Sequence, residues 1–219
     1  MVKAVFVHIP KTAGTSFRDA LCRGFGEEHV SPAFGASHLT ESEATALRRY
    51  QIICGHISMV DAWRLFPDAA LLTILRDPVE RSLSWYHYAR RAPSQDLDDV
   101  KAAQTHDVEE FFSLPVDLTF RNIFNRQVRQ LGDHVLNRNV DMASALQKSR
   151  DVLKRFAWVG RQEMLGEDLP RLGTVFPEMA GISAKTLNVT RDVTETSRLP
   201  EGLRAKILRY NLFDAQLVT

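Results

Sequence analysis

Lys11, Thr12, Thr15 and Ser16 crowd around Gly14 in the segment His8-Ile9-Pro10-Lys11-Thr12-Ala13-Gly14-Thr15-Ser16-Phe17. A lysine brings a mobile full charge, the hydroxyls bring donors, and a glycine lets the backbone come close to an anion. If this segment joins a strand to a helix, the helix N-terminus adds about half a positive charge at the same point. That combination suits a phosphate or a sulfate group. It differs from the GxxxxGK[ST] loop of nucleoside-triphosphate hydrolases, in which the lysine follows the second glycine beside a Mg²⁺-binding hydroxyl. Here Lys11 precedes Gly14 by three residues.

A second group lies in Leu71-Leu72-Thr73-Ile74-Leu75-Arg76-Asp77-Pro78-Val79-Glu80-Arg81-Ser82-Leu83-Ser84-Trp85-Tyr86. Arg76 ends an apolar run, and its planar fork suits phosphate oxygens. Ser84 falls about two turns into the helix that follows, roughly 10 Å along its axis. Asp77 before Pro78 reads as a helix N-cap. An apolar strand ending in Asp is also the pattern that serves Mg²⁺ in nucleotide hydrolases; without the matching glycine loop, the N-cap is the preferred reading. Arg81, Arg90 and Arg91 read as solvated helix charges. Among the histidines, His56 follows the apolar run Ile52-Ile53-Cys54, at the kind of strand end where open α/β sheets gather active-site residues. His8 directly precedes the loop, His38 sits in a polar turn, and His87 is on the helix after Arg76.

The elements that must carry these residues are readable in outline. Ala4 to Ile9 is a buried-strand pattern. Phe17, Leu21 and Phe25 recur every four residues, as on an amphipathic helix. Ile52–Cys54, Ala69–Leu75 and Ala157–Gly160 read as further strands. Helical patterns cover Glu41–Arg49, the stretch after Pro78, Val108–Leu114, Leu118–Leu131, Met142–Phe156 and Glu201–Leu212. A helix over Glu163–Phe176 is expected to break at Pro170, with that proline opening a new first turn as the alternative. The polar stretch Arg91–His106 reads as the most mobile segment. Strands alternating with helices predict a three-layer, P-loop-like α/β domain, a mainly parallel central sheet flanked by helices, with residues 1–219 as one domain.

Composition narrows the classes. Against 28 Lys and Arg stand 27 Asp and Glu, a net charge of +1, with 44% hydrophobic residues. This is an ordinary globular balance. It argues against a disordered chain and against a nucleic acid or membrane partner recognised through bulk charge. Cys22 and Cys54 read as reduced, buried thiols, and no Cys/His spacing suggests a metal site. No apolar stretch approaches a membrane span, and no secretory leader is evident at Met1; a cytoplasmic location is expected. Asn188-Val189-Thr190 matches a glycosylation sequon, read as chance in that setting.

The first segment resembles the 5′-phosphosulfate loop of sulfotransferases that use 3′-phosphoadenosine-5′-phosphosulfate (PAPS), the carbohydrate group more closely than the small-molecule group. The second is similar to that family's 3′-phosphate segment, and Gly55-His56-Ile57-Ser58 resembles a stretch of the uronyl 2-O-sulfotransferases that carries the base. The resemblance implies PAPS as co-substrate, no metal, and a carbohydrate or small-molecule hydroxyl as acceptor. It implies a nucleotide-binding loop of Lys11, Thr12, Ala13, Gly14, Thr15, Ser16 and Phe17, with Arg76 and Ser84 on the 3′-phosphate. Lys11 would stabilise the leaving oxygen, and His56, or else His8, would act as base. Three weaker likenesses follow: Asn122–Leu131, where Asn122, Arg126 and Arg129 could meet a ligand; Phe156–Glu163, near the adenine, with Gln162 where Thr is common; and Leu187–Thr190, a closing loop. The chain begins at its first strand, as soluble bacterial relatives do. Two other readings stay open: a nucleotide-dependent kinase with an atypical loop, and a non-catalytic module that holds adenosine bisphosphate.

Overall fold

Four short apolar runs become strands. In the computed structural model, which describes residues 1–35, 38–93, 97–182 and 199–219, Ala4–Val7 forms β1, Ile52–Gly55 β2, Ala70–Leu75 β3 and Trp158–Arg161 β4. They pair in the order β2-β1-β3-β4, every pair parallel. The helices follow in chain order: α1 (Gly14–Phe25), α2 (Glu41–Leu47), α3 (Met59–Leu65), α4 (Pro78–Arg91), α5 (Asp98–Thr105), α6 (Val108–Phe111), α7 (Val116–Thr119), α8 (Arg126–Leu131), α9 (Met142–Leu153), α10 (Leu165–Val175), α11 (Glu201–Arg209) and α12 (Leu212–Val218). The result is the expected α/β class, a parallel sheet flanked by helices. Among the described residues no helix is long and apolar enough to cross a membrane. The described chain divides into two compact units, residues 1–75 with 150–182, and residues 76–149 with 199–219.

The first unit holds the sheet. Its strands are apolar at both parities, so both faces must be covered, as parallel sheets require. On one face Ala4, Phe6, Ile52, Cys54, Leu72, Ile74 and Trp158 join the α1 stripe Phe17, Leu21 and Phe25 and the α10 stripe Leu165, Leu169 and Leu172 in one core. The Phe17 ring stacks on Trp158 at 5.1 Å and tilts against Phe6 at 4.8 Å. That buried stripe also explains why α10 runs through Pro170 instead of breaking there: Pro170 lies on the exposed side, where losing one backbone bond is tolerated once tertiary packing holds the helix. The free edge of β2 is covered by residues 30–34, which run parallel to it through bridges at Val30–Ile52 and Phe34–Gly55. Ser31 Oγ accepts the Cys54 N–H at 2.9 Å.

The second unit is helical. Val79, Leu83 and Tyr86 of α4 pack with Val100, Ala103, Phe111, Phe112, Ile123 and Ile207. The polar stretch 91–106 is therefore not loop throughout: 98–105 is a helix, because Val100, Ala102 and Ala103 supply a buried face that its acidic composition masks. The single helix expected over Leu118–Leu131 is also interrupted. Asn125 adopts a left-handed φ of 41°, and its side-chain oxygen accepts the N–H groups of Phe213 and Asp214 at 2.9 and 3.1 Å. Asp214 in turn accepts those of Gln127 and Val128 at 3.1 and 2.8 Å. The starts of α8 and α12 thus cap each other, and this exchange ends the preceding turn.

Candidate functional site

The phosphate-type loop leaves the carboxyl end of β1. The β1–β3 ladder reaches only Phe6–Leu72; beyond it the Thr73 hydroxyl donates to the Val7 carbonyl at 2.8 Å. From β1 the chain goes on to β2 on one side, and from β3 to β4 on the other. This reversal of direction opens the crevice where doubly wound sheets bind ligands.

Residues 8–16 turn tightly at this crevice. Lys11 and Ala13 both have left-handed backbones, φ 71° and 64°, a conformation costing about 1–2 kcal/mol for a residue with a Cβ. Between them Thr12 is fully buried and its hydroxyl donates to the Ile9 carbonyl at 2.9 Å. Its side chain therefore braces the turn, and what it offers a ligand is backbone. Ala13 stands at the N-cap of α1 and provides no side-chain cap, and the first turn carries no acidic residue. The helix opens with amide groups that a foreign anion can fill. Thr15 is exposed and Lys11 and Ser16 are half-buried, so these side chains border the solvent-facing start of the helix. Phe17 also serves the fold. Its N–H donates to Ala13 at 3.0 Å and its ring is in the core, so it anchors α1 to the sheet.

The two candidate bases come together. His56 follows β2 immediately; its N–H donates to the Phe34 carbonyl at 3.0 Å, and two residues later Ser58 Oγ caps α3 by accepting the Asp61 N–H at 3.1 Å. His8 extends the β1 ladder, its N–H donating to Gly55 at 2.9 Å. His56 Nε2 and His8 Nδ1 share a hydrogen bond of 3.1 Å, with the rings edge-on at 74°. The His8 ring also covers Gly14: a methyl group there would come within 2.0 Å of His8 Nε2. Gly14 is thus required by the imidazole as well as by any anion.

Arg76 opens the second unit. Its side chain is only 13% exposed, and its guanidinium lies 3.7 Å from Glu80. Asp77 Oδ1 accepts the Val79 and Glu80 N–H groups at 2.9 and 3.0 Å, capping α4 with Pro78 in its first turn. A carboxylate so occupied suits the N-cap and not a metal. Ser84 is half-buried on the same helix. Gln127 was not singled out by the sequence, yet its amide brackets the Arg76 backbone: Oε1 accepts the Arg76 N–H at 3.0 Å and Nε2 donates to the Arg76 carbonyl at 2.9 Å.

Arg90 and Arg91 are exposed on α4 as expected, but three other arginines of this unit depart from expectation. Arg81 is fully buried, not solvated, and donates to the carbonyls of Asn122 and Ile123 at 2.7 and 3.2 Å. Burial pulls its guanidinium down to about 10. Arg126 and Arg129 are buried too, and desolvation together with neighbouring arginines brings Arg126 to about 9. Arg129 donates to the carbonyls of Phe120, Phe124, His134 and Val135. Asn122 donates to Asp99 at 2.6 Å. The face of 122–131 expected to meet a ligand is an internal scaffold. A run of Arg, Gln and Asn at helical spacing looks identical in sequence whether it faces water or buried carbonyls.

Beyond β4, Gln162 begins a short 3-10 turn, and its Oε1 is buried with no hydrogen-bond partner. The motif Leu187–Thr190 and its sequon lie outside the described residues.

Comparison with known proteins bears on what this arrangement serves. Residues 2–219 match the family model described as galactose-3-O-sulfotransferase. The chain is also 27% identical over 266 aligned residues to heparan-sulfate 6-O-sulfotransferase 3-B of Danio rerio, with 97% of this chain and 61% of that protein covered. It therefore spans about three-fifths of that relative's length. With nearly its whole length matched, the chain belongs to the galactose-3-O-sulfotransferase family of carbohydrate sulfotransferases.

Proposed function

We propose that this protein moves the sulfuryl group of PAPS to a hydroxyl of a carbohydrate. The observation that carries the reading is the first turn of α1: no side-chain cap, no acidic residue, and Lys11 in the left-handed loop just before it. This donor set fits a phosphosulfate. The backbone N–H groups of Gly14, Thr15 and Ser16 hold the 5′-phosphate, and the Thr15 and Ser16 hydroxyls add donors. Arg76 and Ser84 are assigned to the 3′-phosphate on the sequence resemblance, with Arg76 kept in place by Gln127. Gln162 Oε1, a buried acceptor without a partner, is suited to an exocyclic amine of the base.

In the transfer an O–S bond forms at the acceptor as the S–O bond to phosphate breaks. His56 takes the acceptor hydroxyl's proton, as a general base near neutral pH can. Lys11 meets the charge that grows on the departing oxygen, the kind of stabilisation worth most when it is positioned beforehand. The uronyl 2-position was the likeness seen in Gly55–Ser58, while the matched names refer to galactose 3-O and heparan-sulfate 6-O transfer. A cytoplasmic location goes with this proposal and accords with the free thiols of Cys22 and Cys54.

A thermal-shift comparison of 3′,5′-adenosine bisphosphate with ATP tests the nucleotide. Saturation at 100 times Kd stabilises by about 2.7 kcal/mol, expected for the bisphosphate; a preference for ATP with Mg²⁺ would favour a kinase. Incubation with ³⁵S-labelled PAPS and three acceptors (2-O-desulfated heparin, 6-O-desulfated heparin and a galactose-terminated oligosaccharide) reads the acceptor position. Bisphosphate binding without transfer to any carbohydrate would mark a binding module.

A further inference from the structure

The hydrogen bond between His56 and His8 constrains both rings at once. We propose, building on the sulfuryl-transfer reading, that His8 and His56 form a single proton-accepting pair, in which His56 takes the acceptor's proton and His8 receives the resulting charge beside the phosphate loop.

The argument is one of proton positions. A neutral imidazole has one N–H and one bare nitrogen. With one proton held between His56 Nε2 and His8 Nδ1, a neutral pair has one more proton, which must sit on the outer nitrogen of whichever ring accepts the shared bond. If His56 donates, His56 Nδ1 is bare and His8 Nε2 carries hydrogen. If His8 donates, these roles are exchanged. The neutral pair therefore has a single basic site at any moment, and a proton taken up at that outer nitrogen lets the shared proton cross the 3.1 Å bond to the other ring.

When His56 Nδ1 takes the hydroxyl proton, the shared proton can pass from His56 Nε2 to His8 Nδ1. His56 is then neutral with its N–H at Nδ1, and His8 is the imidazolium. The balance is complete: the hydroxyl loses its proton, the O–S bond forms, the S–O bond to phosphate breaks, and the pair retains one extra proton for later release to water. The relay moves charge in a useful direction. His8 Nε2 packs against Gly14, the first residue of α1, so the positive charge arrives at the loop assigned to the departing phosphate. Phe6 stacks on His8 at 5.6 Å and 16° and fixes the ring plane. The charged groups on the bordering elements are Lys11 on the loop and Asp61 and Arg64 on α3; the last two bond each other at 2.9 Å, and His38 approaches Asp61 at 3.4 Å. His8 is thus a positioning and relay partner that acts through His56.

The test contrasts His8→Asn with His56→Ala. Asn keeps a hydrogen-bonding atom near the place of Nδ1 but cannot take up a proton. With ³⁵S-PAPS and 6-O-desulfated heparin, or whichever carbohydrate the wild type sulfates, His56→Ala is expected to lower transfer about 10²–10⁴-fold. His8→Asn is expected to lower it at least tenfold, and the double variant to be no slower than His56→Ala. Bisphosphate-induced thermal shift is retained in all three. Nitrogen-15 NMR titration of the imidazoles needs no substrate: in the wild type the rings titrate as a coupled pair, and in His8→Asn the His56 curve moves and becomes a single ionisation. Full-rate transfer by His8→Asn would overturn the pair, since positioning alone would then suffice. So would a His56 titration that is unchanged when His8 is replaced. Failure of the wild type to bind the bisphosphate would instead strike the sulfuryl-transfer reading, and the titration would still decide whether the pair exists.

Discussion

Two helices start just after neighbouring strands, α1 after β1 and α4 after β3, and their first turns are built in opposite ways. At α1 the cap position is a left-handed alanine, the first turn carries no carboxylate, and a lysine precedes it. At α4 the cap is Asp77, which accepts two backbone N–H groups, and Glu80 sits in the first turn. Both helices carry the same macrodipole. The first turn of α1 has no side-chain cap and no acidic residue, whereas that of α4 is answered by its own side chain. In the proposed reading, anion recognition near α4 falls to a side chain, Arg76, whose backbone is bracketed by Gln127.

This contrast can be broken in four places. The largest effect is expected at the open end: Lys11→Ala should reduce sulfuryl transfer about 10²–10³-fold, measured with labelled PAPS; an undiminished rate would remove the stabilising role. At the closed end, Gln127→Leu leaves the Arg76 N–H and carbonyl without their partner, at a cost of about 1–3 kcal/mol each if they stay dry. It should lower the urea midpoint and weaken 3′,5′-adenosine bisphosphate binding measured by calorimetry, whereas a variant that loses stability but keeps full affinity would mean Arg76 is not held for the nucleotide. Asp77→Ala should cost about 1 kcal/mol of stability, the usual worth of an N-cap, with Asp77→Asn close to wild type in the same denaturation series. The smallest effect is at Thr15. A Thr15→Glu substitution offers α1 the acid it lacks, so the ligand-free protein should gain about 0.3–1 kcal/mol while the thermal shift with bisphosphate shrinks. If the shift is unaffected, the first turn of α1 is not where the anion sits.

Much of this was legible before any coordinates. Ala4–Val7, Ile52–Gly55 and, apart from Thr73, Ala70–Leu75 carry no polar side chain, which only a sheet covered on both faces tolerates, and the Phe17–Leu21–Phe25 stripe lies in the core as its spacing predicts. Asp77-Pro78 read correctly as a cap because capping is a local matter of adjacent residues. Other features were hidden for physical reasons. Arg81 and Arg129 carry the composition of surface residues, and carbonyls make their burial tolerable, those of the distant Asn122 and Ile123 for one and those of Phe120, Phe124, His134 and Val135 in the chain around it for the other. The break at Asn125 depends on partners 88 and 89 residues away. The helix at 98–105 was obscured by its acids, since one turn of small apolar side chains is a faint pattern.

The sequence by itself determined which groups share one turn: Lys11, Gly14 and the flanking hydroxyls, the donor set of the proposed anion site, are neighbours along the chain. It left His8 and His56 as competing bases, because 48 residues separate them. Tertiary structure turned that competition into a hydrogen bond. β1 and β2 lie side by side in register, Val7 opposite Gly55, so the residues that follow them must emerge together. The parallel pairing of two strands decided what no local pattern could, that the two imidazoles meet and that one of them rests on Gly14.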